Sequence, residues 1–185
     1  MDDAAMRQIL TGDRAVIVYD LEGTCWKGVW SRRKETIEIG AVAYRHGEGI
    51  TADFQTYVKP VAVPRISAFC TELTGITQSD VDAAPEFPRA MLAFLSWAKE
   101  HGDYVRAGWG AYEQWQFELD LELHALPPLT DAYLDIKKLY ARLGRSKDKN
   151  IDAARDALGI EAGEKHRALD DARVAARILQ KILGG

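Results

Sequence analysis

Apolar and polar positions follow one rhythm over the first third of the chain and another from Ile66 onward. Ala15 to Tyr19, AVIVY, is an unbroken apolar and largely β-branched run, which predicts a short central strand covered on both faces and ending at Asp20. Thr36 to Tyr44 and Thr51 to Val58 alternate, as half-buried strands do, and the turn-forming His46-Gly47-Glu48-Gly49 between them predicts a hairpin or meander. Pro60 and Pro64 close that unit. Beyond Ile66 the apolar positions recur every three to four residues. They predict short helices around Phe69 and Val81 and longer ones from Pro88 to His101 and from Tyr112 to His124. Tyr104 to Ala107 reads as a fourth strand between the long helices. An extended piece near Tyr133, a helix from Ile136 to Leu143, a small helix near Ala153 and a last helix from Arg167 to Leu183 complete the pattern. Strands first and helices later predict a mixed α/β fold. No repeat or low-complexity linker interrupts it, so the expectation is a single domain over residues 1–185.

Composition agrees with this. The chain has 185 residues, of which 47% are hydrophobic and 28% charged. A chain of this length buries roughly 70% of its unfolded surface without disulfides or structural metal. The formal charge of −4 argues against gripping a polyanion by bulk charge. Cys25 and Cys70 form no CxxC or Cys/His cluster, so neither a disulfide framework nor a zinc site is expected. The N-terminal MDDAAMRQIL has acids where a secretory signal needs bases, and no apolar run approaches the ~20 residues of a membrane span. The expected location is the cytoplasm, with no membrane partner.

The first chemical signal is Asp20-Leu21-Glu22. Residues i and i+2 of a strand project to one side, so two carboxylates are aimed at one point from the end of a buried strand. Hard oxygen ligands of this kind suit Mg²⁺ or Mn²⁺. Taken alone the spacing is common, and a solvated strand end explains it as well. The second signal is His166-Arg167-Ala168-Leu169-Asp170-Asp171. Asp170 leads the polar row Arg173, Arg177, Lys181, where a surface pair with Arg173 is expected. Asp171 leads the row Ala175, Ile178, Ile182, so it points inward, and a buried charge needs a partner. His166 precedes Asp171 by about 140° of helical rotation at ~100° per residue, so the two meet only if His166 lies on a loop before the helix, which Gly163 permits.

The segments VIVYDLEGTCW, AGWGAYEQ and HRALDDARVAARIL, in this order, resemble the three motifs of the DEDDh class of 3′-to-5′ exonucleases, the DnaQ-like group. EGTCW, Phe69-Cys70 and Leu73-Thr74-Gly75-Ile76-Thr77 are most similar to the branch holding histone-mRNA and RNAi-associated 3′ exonucleases and bacterial KapD-type proteins. The resemblance spans residues 14 to 183 and implies an RNase H-like fold, a five-stranded mixed sheet flanked by helices. It implies a metal site of Asp20, Glu22, Asp171 and the second-motif acid, with His166 as the catalytic histidine. Two divalent cations, Mg²⁺ or Mn²⁺, sharing Asp20 and standing roughly 4 Å apart, would clamp an in-line displacement at phosphorus. His166 would take the proton of the attacking water. Glu22 and backbone from Leu21 onward would meet the terminal 3′-hydroxyl, and Leu73, Thr74, Gly75 and Ile76 would pack against the last base. The implied substrate is the 3′ end of single-stranded RNA or DNA, RNA slightly favoured, releasing nucleoside 5′-monophosphates.

One position departs from the pattern. Where the branch usually reads WGxYD, this chain has Trp109-Gly110-Ala111-Tyr112-Glu113. Glu113 keeps the charge with one more methylene. A displacement by about a C–C bond length can cost on the order of a hundredfold in rate, so the alternative is a catalytically weakened nucleic-acid-binding or regulatory module. An internal-cutting nuclease on the same fold is a third possibility. Asp120, two turns on from Glu113, reads as a surface acid ahead of a substitute for it, and Cys25 as a packing residue. Trp26, in a loop with Trp30, suits either stacking on a base, worth ~1–3 kcal/mol, or closing the core edge. Lys137, Lys138, Arg142, Arg145, Lys147 and Lys149, with only Asp148 opposing, form either a phosphate-tracking stretch or a solvated face.

The acids of the implied site change the meaning of the net charge. With Asp20, Glu22, Glu113 and Asp171 set aside, the remaining acids equal the 24 bases, and two divalent cations would neutralise the four. The expectation is a weak, salt-sensitive grip with specificity concentrated at the 3′ end.

Overall fold

The structure, a computed structural model, describes residues 8–9, 11–29, 32–143, 150–161 and 166–184. Five strands form one sheet in the order β3-β2-β1-β4-β5: β1 (Ala15–Gly23), β2 (Thr36–Arg45), β3 (Gly49–Tyr57), β4 (Tyr104–Gly108) and β5 (Tyr133–Asp135). β2 runs antiparallel to both β1 and β3, whereas β4 is parallel to β1 and β5 parallel to β4. The helices are α1 (Ala68–Thr74), α2 (Gln78–Ala83), α3 (Phe87–Lys99), α4 (Tyr112–Leu123), α5 (Ile136–Arg142), α6 (Ile151–Ala157) and α7 (Ala168–Leu183).

Strand alternation divides the core between the two faces of the sheet. Val16 and Val18 of β1, with Val42, Tyr44, Val105 and Ala107, face α5, α6 and α7, meeting Tyr140, Ala154, Ile178 and Leu179. Ile17, Tyr19 and Leu21, with Ile39, Ala41 and Ala43, face α3 and α4, where Phe94 and Phe117 flank the Tyr19 ring at 5.6 and 4.9 Å. The expected order of strands and helices is present. The expected strand end at Asp20 is corrected: β1 runs on to Gly23, because Leu21 is buried against the α3/α4 side and β2 keeps pairing through Glu38 and Thr36. Asp20 and Glu22 therefore continue the Val16 and Val18 row on the α7 side.

Two buried acids brace this frame. Glu35 accepts the backbone N–H groups of Val61, Ala62 and Val63 at 2.7 to 2.9 Å and so folds the proline-bounded segment onto the sheet. Asp120 is not the expected surface acid. It is buried, accepting from the Thr36 hydroxyl at 2.6 Å, the Thr36 N–H at 3.2 Å and Gln116 at 3.0 Å, and it joins α4 to the start of β2.

Candidate active site

Asp20 and Glu22 leave β1 on one side, and Asp171 arrives from the first turn of α7. One carboxylate oxygen from each lies within 4.8 Å of the others. The close approach depends on Gly40, which pairs with Asp20 across β2. A Cβ at Gly40 would stand 2.0 Å from the Leu169 nitrogen and 2.2 Å from the Ala168 carbonyl carbon, so only a glycine lets the end of α7 rest on the sheet. The N-cap residue Arg167 makes no capping bond with its side chain. Glu38, fully buried and opposite Glu22, does the capping from the sheet: its carboxylate accepts the Ala168 N–H at 3.2 Å and lies 3.7 Å from the Arg167 guanidinium. Gln55 donates to the same carboxylate.

His166 lies on the turn before α7, as a meeting with Asp171 requires, with its backbone in the left-handed region at φ 59°. Its N–H donates to the Asp171 carboxylate. Glu113, in the first turn of α4, is only 4% exposed and hydrogen-bonds to Asp20. It stands beside the three clustered carboxylates as a neighbour of Asp20.

These acids raise one another's proton affinity. Burial, then the charges of Glu113, Glu22 and Asp171, pushes Asp20 well above the usual carboxylate range. Burial, Asp171 and Glu38 push Glu22 up to about 8, against the opposing pull of Lys34 and Arg167. Burial also raises Asp171, partly offset by His166, and Glu113, partly offset by its hydrogen bonds. A set of oxygen donors short of positive charge fits a hard divalent cation.

The site opens into a cavity of about 350 Å³ lined by these five residues together with Leu21, Lys34, Leu73, Trp109, Tyr112 and Ile151 among others. The Lys34 ammonium lies 5.6 Å from the centre of the Tyr112 ring. Of the Leu73 to Ile76 segment, only Leu73 reaches the cavity, at 38% exposure. The expected packing of the Thr74 and Ile76 side chains on a base is corrected. Thr74 is buried, bonding the Cys70 carbonyl at 2.8 Å, Ile76 packs with Ile37, Cys70 and Val81, and Gly75 ends α1 at φ 72°.

Trp26 is half-buried and does not line the cavity; Arg32 stands 4.2 Å over its ring. Cys25 lines the cavity, and burial beside Cys70 pushes its thiol up to about 12, the property of a packing residue. Asp170 pairs with Arg173 at 3.0 Å, as helical spacing leads one to expect. Lys137, Lys138 and Arg142 lie on α5, and Lys138 pairs with Asp135 at 3.2 Å. Trp30, Arg145, Lys147, Asp148, Lys149 and Gly163 lie outside the described residues.

Sequence reasoning missed Lys34, Tyr112, Glu38 and Gly40. An isolated glycine inside an apolar strand was the available signal for Gly40, since it often marks close approach of another backbone.

With the five-stranded order and the carboxylate cluster in place, residues 17–179 match the Exonuclease (RNase_T) family. The chain belongs to this family. ERI1 exoribonuclease 2 of Xenopus laevis is 29% identical over 193 residues, covering 91% of this chain and 28% of the relative. The protein of the same name from Danio rerio is 31% identical, covering 91% and 35%. The chain thus spans about a third or less of the length of these relatives. Among solved structures, the nuclease domain of 3′hExo, a DEDDh family member bound to rAMP, superposes with a TM-score of 0.85 at 30% identity, covering 91% of each chain. A 3′-exonuclease described in 3′-end specific recognition of the histone mRNA stem-loop gives 0.84 at 28% identity, covering 91% of this chain and 81% of that one. The exonuclease domain and the RNase H-like fold implied by the three motifs are both present.

Proposed function

We propose that the chain is a divalent-metal-dependent 3′-to-5′ exonuclease that removes nucleoside 5′-monophosphates from single-stranded ends, RNA ahead of DNA. The observation that carries this reading is the meeting of Asp20, Glu22 and Asp171 within 4.8 Å of one another, beside Glu113 and His166 in one open cavity. The preference for RNA is supported by the exoribonuclease names of the relatives and by the rAMP and histone mRNA stem-loop of the structural neighbours.

Asp20, Glu22 and Asp171 would hold the two cations, Mg²⁺ or Mn²⁺, with Glu113 supporting the set through its contact with Asp20. Cations held there would supply Lewis-acid activation and charge neutralisation at the phosphodiester. His166, on its turn at the cavity edge, takes the proton from the attacking water, a task suited to a histidine near neutral pH. Leu73 offers its exposed side chain to the terminal base, with the Tyr112 ring as another apolar surface of the cavity and Lys34 as a cation for the phosphate. Leu21 and Glu22 meet the 3′-hydroxyl. The weakened-module alternative is not favoured: Glu113 is buried in the site and bonded to Asp20, and the relatives carry the name exoribonuclease. No described helix is long and apolar enough to cross a membrane. One exonuclease domain over residues 17–179, working in the cytoplasm, belongs to the same proposal.

The test is a 5′-labelled oligonucleotide, as RNA and as DNA, with Mg²⁺, Mn²⁺ or chelator. The expected result is stepwise shortening from the 3′ end, faster on RNA and abolished by chelator. No shortening with either metal overturns the proposal, and cleavage that survives a blocked 3′-hydroxyl replaces it with an internal-cutting nuclease.

A further inference from the structure

Glu113 is the acid that departs from the DEDDh pattern, and one residue beside it, Tyr133, lies outside the three motifs. β4 ends at Gly108, and β5 begins at Tyr133. A Cβ at Gly108 would stand 2.4 Å from the Tyr133 hydroxyl, 3.1 Å from Glu113 Oε2 and 3.2 Å from the Tyr19 carbonyl oxygen. Only the absence of that Cβ lets the hydroxyl and the carboxylate meet there. The Tyr133 hydroxyl donates to the Gly110 carbonyl at 2.7 Å and lies 3.4 Å from Glu113 Oε2. Gly110 belongs to the loop that leads into α4. Tyr133 therefore ties β5 to the segment that carries Glu113, while Asp20 bonds the Glu113 carboxyl.

We propose that Tyr133, in the space left by Gly108, is the positioning residue that lets a glutamate serve in the second-motif place. The inference rests on the proposed metal site. A glutamate has one more rotatable bond than an aspartate, and a ligand acid acts well only when its carboxylate is already oriented. Tyr133 supplies that orientation from β5, across the space left by Gly108. The phenol has one hydrogen, with Gly110 O at 2.7 Å and Glu113 Oε2 at 3.4 Å as its two acceptors, so a rotation about the C–O bond moves it from one to the other. An aspartate at 113, one methylene shorter, would stop short of the hydroxyl and gain little from it.

The test is a double-variant cycle of Tyr133→Phe and Glu113→Asp, read by calorimetric Mn²⁺ binding without nucleic acid and by kcat and KM on a labelled RNA. Phenylalanine keeps the ring that packs 6.2 Å from Tyr19. In the parent, Tyr133→Phe is expected to weaken Mn²⁺ binding about tenfold, the lower end for loss of an orienting partner, and to lower kcat with KM unchanged. With Asp at 113 the same change is expected to cost less than about twofold. Unchanged Mn²⁺ binding in Tyr133→Phe, or an equal loss in both backgrounds, overturns the inference. A parent that binds Mn²⁺ and shows this pattern yet shortens no RNA overturns the proposed activity alone, and a parent that binds no Mn²⁺ overturns both.

Discussion

Asp20 and Glu22 are carried by the centre of the sheet, whereas Asp171 and His166 are carried by the end of a helix that rests on it. On the first side, β1 is hydrogen-bonded to β2 through Glu22 and is covered by apolar side chains on both faces, so backbone alternation alone aims the two carboxylates. On the second side, position depends on single contacts: the missing Cβ of Gly40, the Glu38 carboxylate under the helix end, and the left-handed turn at His166. Two of the three acids proposed to hold a cation thus sit on the central strand, while the third, Asp171, and the histidine proposed to move a proton depend on how the end of α7 rests on the sheet.

Removing one group from each side sharpens this contrast. Asp20→Asn is expected to lower kcat by on the order of a hundredfold or more, while raising the melting temperature in chelator, because it removes a buried carboxylate that its neighbours oppose. His166→Gln is expected to lower kcat by a similar order, ~10²-fold or more, with Mn²⁺ binding and melting temperature close to those of the parent. A His166→Gln protein that loses Mn²⁺ binding along with activity would show that the turn holds the site together and would break the division of labour. Gly40→Ala attacks the helix side through packing alone. Its Cβ would stand 2.0 Å from the Leu169 nitrogen, so α7 must shift, with an expected loss of about 3 kcal/mol in chemical denaturation and of activity with it. Near-parental stability in that variant would mean the helix end is free to move.

The smallest effect is one of pH. Glu22 holds its proton up to about 8 in the folded, metal-free protein against an ordinary value of 4.5, so the folded state binds more protons than the unfolded one between those limits. Metal-free stability therefore bears no cost from Glu22 below about pH 4.5, declines as pH rises toward 8, and carries the full cost above it. Cation binding favours the ionised form and reverses this cost. The rise in melting temperature on adding Mn²⁺ is expected to grow from pH 5 to pH 8; a rise that is flat or shrinks across that window contradicts the assigned electrostatics.

The same two regions differ in how far they were legible in the sequence. Strand periodicity marked Asp20 and Glu22, and helical periodicity separated Asp171 from Asp170, because both signals are local. β1 was expected to end too early, since a strand turning from apolar to acidic on one face looks like a strand stopping; buried Leu21 carries it on. Asp120 was misread because its partner Thr36 lies on a strand distant in sequence, and α4 has no clean polar face to warn of it. Thr74 and Ile76 were given to the substrate because a motif does not say which of its side chains turn inward. Glu38, Gly108 and Tyr133 act across the fold, as in the bond from Ala168 to Glu38 spanning 130 residues, and no local window contains both them and their partners.

The most direct test of the account compares Asp171→Ala with the parent on one 5′-labelled, single-stranded RNA in Mn²⁺. The parent is expected to shorten the RNA stepwise from its 3′ end and the variant, folded by its melting curve, to leave it intact. An Asp171→Ala protein that shortens the RNA as fast as the parent would contradict it.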